Sequence, residues 1–199
     1  MARKLHYFQL NGLAEPIRYL LHYGGLEFED IRYAHKDWPI KSVKDMLPFG
    51  QLPLYEEGGK TLNQSFAIAR YVAGQINLLP SDPWEQAVLD ALVLNIYDFW
   101  ANVVPHIIEK DPAKQAVIRK KALEVSVPFF FPKFEKQLKD NNGYLNGKLS
   151  WADFILAGIV ETTDLFLTAE VEKGYPNIIA LVQKIRALPG VKEYTASLK

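Results

Sequence analysis

Asn63, Gln64 and Ser65 stand in a row at the head of a helix-spaced set of apolar residues, Phe66, Ala69, Tyr71 and Val72. Side chains of this kind cap helices, and the first turn of a helix leaves backbone N–H groups without partners. Such donors suit an anion, above all a carboxylate. Upstream, Leu52-Pro53 begins a strand-like run, where a proline points to an edge, a bulge or a cis bond that opens backbone to a ligand. Tyr7 ends the first strand-like run, and strand ends are where ligands gather in open α/β sheets. Its phenol could donate a hydrogen bond, or it could be one more packed aromatic among 10 tyrosines.

The missing residue types narrow the chemistry. With no cysteine, disulfides, thiolate metal sites and a protein thiol nucleophile are excluded, so any thiol must arrive with a ligand. His6, His22, His35 and His106 show neither i, i+4 pairing nor a ligand cluster, so no metal is expected. A hydrophobic content of 49% and a formal net charge of zero describe an ordinary globular chain. Nucleic acid is not an expected partner, because the one dense basic run, Arg119-Lys120-Lys121, reads as a solvated helix face. With no leader and no unbroken apolar run near about eighteen residues, neither secretion nor a membrane span is expected, and the reading is cytoplasmic.

The elements that would position these residues follow from periodicity and punctuation. Leu5 to Phe8 predicts a strand; Pro16 in a first helical turn with Ile17, Leu20 and Leu21 predicts a helix ended by Gly24-Gly25; Phe28 to Tyr33 predicts a second strand. Trp38 to Phe49 reads as irregular, and Glu56 to Gly59 as the turn of a hairpin leading into the helix after Ser65. The prolines between Gln75 and Pro83 mark a boundary, giving domains at 1–75 and 82–199. Beyond it the spacing is helical: Leu89 to Val103 until Pro105, then Ala113 to Leu138 with interruptions at Pro128 and Pro132. Ser150-Trp151-Ala152-Asp153 fits a capping box before an apolar helix to Leu167, which gives Asp153 a structural role; Pro176 opens a further helix through Leu188.

Taken together, the Leu-Pro before a hairpin and the Gln-Ser opening a helix resemble the glutathione site of the glutathione S-transferases. Tyr7 in YFQLNGLAEPIR, Trp38 in DWP and Ser150 to Asp153 resemble the sigma class, which includes the haematopoietic prostaglandin D synthases, and the likeness runs almost end to end. The resemblance implies a thioredoxin-like α/β N-terminal domain with a mixed four-stranded sheet, an all-α C-terminal domain and a homodimer. It implies that Tyr7 donates to the glutathione sulfur as it becomes a thiolate. Gln64 and Ser65 would hold the γ-glutamyl carboxylate, and Leu52, beside a cis Pro53, would pair its backbone with the cysteinyl moiety. Trp38 and Lys44, with Gln51 alongside, would face the glycyl carboxylate, although Lys41 could replace Lys44; Leu13 would also line the site. Asp98 would reach the ammonium of glutathione in the neighbouring subunit, the alternative being a solvated helix carboxylate. Phe8, Leu13, Trp100, Val103, Ile155 and Ile159 would bound a second, apolar pocket. The implied activity is conjugation of glutathione to apolar electrophiles, with no metal. Its rivals are isomerisation of a prostaglandin endoperoxide and a crystallin-like protein without activity.

Overall fold

The computed structural model describes residues 2–198. The first half holds β1 (Arg3–Phe8), α1 (Glu15–Tyr23), β2 (Glu29–Tyr33), α2 (Lys41–Met46), β3 (Leu54–Glu57), β4 (Lys60–Asn63) and α3 (Ser65–Gln75). Its four strands form one mixed sheet, as expected, in the order β2-β1-β3-β4. β1 and β2 run parallel, with α1 as the crossover, and Tyr7 lies opposite Arg32. The β3–β4 hairpin turns at Gly58 and Gly59, both in the left-handed region with φ of 57° and 77°, where glycine carries no steric cost.

Strand alternation sorts β1 onto two faces. Leu5 and Tyr7 enter the main core with Ile17, Leu20 and Val72, whereas His6 faces the other way. There the His6 imidazole lies 2.8 Å from the Tyr33 hydroxyl and 2.8 Å from the Glu56 carboxylate, tying three strands together. Beside it, Val43 and Leu47 cover Leu54, and this contact organises α2. The Trp38–Phe49 stretch is therefore not wholly irregular. Val43 and Leu47 are one helical turn apart, a pair too short to register as a periodicity.

The second half is helical: α4 (Pro83–Ile108), α5 (Pro112–Lys121), α6 (Val127–Asp140), α7 (Trp151–Leu167), α8 (Pro176–Arg186) and α9 (Val191–Ser197). Two corrections concern proline. α4 does not stop at Pro105 but passes through it to Ile108. α5 and α6 are joined by a wider π turn over Ala122–Ser126, so Pro128 falls in the first turn of α6, where its missing N–H costs nothing; Pro132 lies inside α6. In both helices the burial of a stripe, Phe99 to Val103 in one and Phe131 to Leu138 in the other, outweighs the lost hydrogen bond.

α4 has the length and mean hydropathy (1.4) of a membrane-crossing helix, but Glu85, Asp90 and Asp98 break its apolar run. Its apolar residues Leu89, Val93, Ile96, Phe99 and Val103 are buried in the same core as α7. α7 is the most enclosed element, buried from Trp151 through Val160. It crosses α1 so closely that a Cβ on Gly158 would sit 2.8 Å from Pro16 Cγ.

A polar cluster closes the seam between the halves. The fully buried Arg18 donates from Nη1 to Glu15 (2.8 Å) and to the Leu10 carbonyl (3.0 Å), and from Nε to Asp30 (3.0 Å). Tyr194 of α9 donates to Glu15 at 3.1 Å and accepts from Arg32 at 3.1 Å. Buried charges persist only when paired and hydrogen-bonded. Here the pairing also pins the loop after β1.

Candidate active site

Two clefts meet along one wall. The first, of about 330 Å³, is bounded by Trp38, Gln51, Leu52, Pro53, Gln64 and Ser65. The second, of about 180 Å³, is bounded by Tyr7, Leu10, Trp100, Val104, Ile107 and Phe166. Phe8 and Leu13 line both.

On the first cleft, the Leu52–Pro53 bond is cis, as is Trp38–Pro39, and Leu52 lies just outside the β3 ladder. Gln64 has φ of 69° and is the N-cap of α3, with no hydrogen bond from its side chain to the helix. Ser65 is thus the first helical residue and not the cap expected of it. The first intrahelical bond runs from Ile68 N–H to the Gln64 carbonyl, so the N–H groups of Ser65, Phe66 and Ala67 precede the ladder. Trp38 meets Phe8 edge to face, with centroids 5.2 Å apart. Of the two candidate lysines, Lys41 is paired with Asp45 at 2.6 Å on the exposed side of α2. Lys44 stands over the rim, its Cε 3.8 Å from where a Cβ on Gly50 would lie.

Tyr7 lines the second cleft, beside the Phe8 and Leu13 wall that both clefts share. Its hydroxyl oxygen accepts the Leu13 N–H at 3.2 Å, which leaves the phenolic hydrogen free to donate elsewhere. Burial pushes the phenol above its ordinary range, with the Leu13 N–H and the Arg18 charge pulling the other way, so it stays protonated at neutral pH. Gly12 gives the hydroxyl its room: its φ is +50°, and a Cβ there would fall 2.6 Å from the Tyr7 oxygen.

The second cleft differs from the expected one. Trp100, Phe8 and Leu13 line it, but Val103, Ile155 and Ile159 do not, being closed inside the core at 0%, 0% and 1% exposure. The helical stripe that looked like a pocket wall is the packing seam of α4 and α7. Asp98 lies exposed on α4 and lines neither cleft. Among the described residues no group of three metal-ligating side chains comes together.

Residues 3–74 match the model of the glutathione S-transferase N-terminal domain, and residues 97–198 match that of the C-terminal domain. The chain belongs to the glutathione S-transferase family. It is 36% identical over 197 residues to a glutathione S-transferase of Anopheles gambiae, covering 97% of this chain and 95% of that protein. The structure of a prostaglandin synthase D from Nilaparvata lugens is similar throughout, with a TM-score of 0.92, 36% identity and 98% of each chain covered. A glutathione S-transferase from the hookworm Necator americanus, solved as a monomer, has a TM-score of 0.82 at 33% identity, over 99% of this chain and 97% of that one.

Glutathione is the co-substrate of this family, and the first cleft presents N–H groups that precede the helical ladder, main chain at Leu52 outside the β3 ladder and a lysine beside Gly50. Sequence reasoning missed Tyr97, which stands on α4 beside Ser65. Burial holds its phenol far above the ordinary range, with the Ser65 hydroxyl pulling the other way. It also missed Val104, Ile107, Ile108 and Phe166 of the second cleft. Two of these, Ile107 and Ile108, lie just beyond Pro105, where the helix was expected to have ended.

Proposed function

We propose that this transferase activates the glutathione thiol at Tyr7 and joins it to apolar electrophiles held in the second cleft, as a cytoplasmic, dimeric, detoxifying enzyme of the sigma class. The observation that carries this reading is the Tyr7 hydroxyl, engaged as an acceptor by Leu13 and free as a donor in the second cleft, next to the Phe8 and Leu13 wall shared with the first. A neutral phenol that donates to sulfur favours the thiolate over the thiol, because a hydrogen bond to the charged form lowers its pKa. The thiolate then attacks an electrophilic carbon across the Phe8 wall. Gln64 and Ser65 hold the γ-glutamyl carboxylate, Leu52 and Pro53 the cysteinyl backbone, and Trp38, Lys44 and Gln51 the glycyl end, with Leu13 at the sulfur.

Turnover of an aromatic halide, an unsaturated aldehyde, a hydroperoxide and a prostaglandin endoperoxide tests the reading. Conjugation of the first two is expected, and absence of both sinks it. The likeness to the Nilaparvata synthase favours isomerisation of the endoperoxide as a second activity of the same thiolate.

Replacing Ser65 by Ala should raise KM for glutathione by the equivalent of about 1 to 3 kcal/mol, a hydrogen bond to a carboxylate being lost. Because Ser65 sits inside the helix and not at its cap, the melting temperature should hold. A lower melting temperature with an unchanged KM would return the residue to a packing role.

The dimer is supported by the exposed face of α4, where Ala91, Leu94, Asn95, Asp98, Ala101 and Asn102 recur at helical spacing. Beside it lies an apolar groove formed by Leu92, Phe129, Phe130 and Phe134. Across a two-fold axis, Asp98 would meet the ammonium of the ligand in the other subunit. Light scattering at micromolar concentration should give twice the chain mass; a monomer that still conjugates glutathione would remove Asp98 from the site.

A further inference from the structure

Two of the four histidines are engaged through both ring nitrogens: His6 with Tyr33 and Glu56, His106 with the carbonyls of Gln115 and Phe166. A third, His22, lies flat on Tyr194 with centroids 4.3 Å apart, and burial lowers its pKa. His35 is different. It sits in a single turn of 3₁₀ helix (His35–Asp37) at the mouth of the second cleft, and among the described residues neither of its nitrogens has a hydrogen-bond partner. Its ring leans on Phe8 at 5.2 Å, which aims the imidazole along the same wall that separates the clefts.

The rest of that lining makes the placement informative. It is built from Phe8, Leu10, Leu13, Val104, Ile107 and their apolar neighbours, with three side chains able to donate a hydrogen. Tyr7 is committed to the sulfur on the reading above, and the indole of Trp100 cannot release its hydrogen near neutral pH. His35 is the one lining group that can both point a hydrogen at a bound molecule and give up a proton.

Electrophiles divide on this point. When a thiolate displaces halide from an activated aromatic ring, the sulfur–carbon bond forms, the carbon–halogen bond breaks and the halide leaves with the electron pair. No proton is needed. When a thiolate adds to an α,β-unsaturated carbonyl, the sulfur bonds to the β-carbon and the alkene pair moves to give an enolate oxygen, which must be stabilised and then protonated. The geometry points to His35 as the general acid for this second class: its imidazolium donates to the developing enolate oxygen and is reprotonated from solvent, which had received the thiol proton. The electrophile class served best is therefore apolar molecules with a carbonyl conjugated to the reacting carbon. This rests on the conjugating activity proposed above.

The test compares kcat/KM for a 2-alkenal and for an aromatic halide in the wild type, His35→Ala and His35→Gln. In His35→Ala the alkenal-to-halide ratio should fall about tenfold or more, less than the roughly 10² to 10⁴ of a fully positioned acid, because water can partly replace a group at a cleft mouth. In His35→Gln, which donates a hydrogen bond but no proton, the ratio should recover in part. A ratio unchanged in both variants overturns the assignment while leaving conjugation itself standing. Failure of the wild type to turn over either electrophile would instead overturn both readings.

Discussion

Tyr7→Phe should lower the rate of conjugation by about 10² to 10³ while leaving glutathione affinity nearly intact, the magnitude seen when one donor to a developing anion is removed. The ring stays, so its packing with Phe8 at 5.3 Å stays with it. What goes is the hydrogen that the Leu13 N–H leaves free by occupying the phenolic oxygen from the other side. The thiol of bound glutathione should titrate at roughly 6 to 7 in the wild type and near about 8.5 in the variant, the ordinary thiol value. The ultraviolet thiolate band of the binary complex reads this directly. Because the phenol is held above its ordinary range by burial, no rate limb from Tyr7 itself should enter between pH 5 and 9. An unchanged band with an unchanged rate would make Tyr7 a packed aromatic and pass activation of the thiol to another donor.

Asp153→Ala should cost about 3 to 5 kcal/mol of stability, the range for a buried polar hub whose partners are left bare. The carboxylate accepts the Leu145 N–H at 2.8 Å, the Ser150 N–H at 2.8 Å and the Ser150 hydroxyl at 2.9 Å, all in a fully buried setting. It fastens the Asn141–Gly147 loop to the start of the most enclosed helix. A melting temperature lower by about 10 °C is expected for a chain of this size, with the KM for glutathione unchanged in the fraction that folds. Burial pushes this carboxyl up to about 6 against the pull of the Leu145 and Ser150 donors. Between the unfolded value of about 4 and that figure the native state holds the extra proton, so the contribution of this group declines as pH rises through the window. Asp153→Asn should flatten that slope. A melting temperature within about 2 °C of the wild type in Asp153→Ala would show that the loop and helix are held by packing alone.

The sheet and the first cleft were legible because they rest on local chemistry. Gly58-Gly59 can turn a hairpin where other residues cannot, Pro53 announces a break in the ladder, and Gln64-Ser65 precedes a helix start whose donors are free in any fold. The capping box at Ser150 is local for the same reason. Two misreadings came from treating proline as a stop: Pro105 and Pro132 sit in helices whose buried stripes offset one lost bond each. A third concerned Val103, Ile155 and Ile159. Apolar residues at helical spacing identify the inward face of a helix, and whether that face meets a cavity or another helix depends on partners far away in sequence. Ile107, Ile108 and Phe166 reach the second cleft only because the last turn of α4 and the end of α7 converge over Leu13. His35 and Tyr97 carried no signal of their own; each acquires meaning from what the fold brings beside it.

The two clefts draw on different parts of the chain, and this bears on how such an enzyme can change over generations. The first cleft is made of residues between Phe8 and Ser65, whereas much of the second comes from Trp100 to Ile108 and Phe166. Substitutions at Val104, Ile107, Ile108 or Phe166 can reshape what is accepted without disturbing how the thiol is held. Ile108 is already 67% exposed, so exchanges there should be nearly neutral for folding. Among the described residues only Phe8 and Leu13 belong to both clefts, and on the proposed function these two positions should be the slowest to drift, since each would have to satisfy an invariant ligand and a variable one at once.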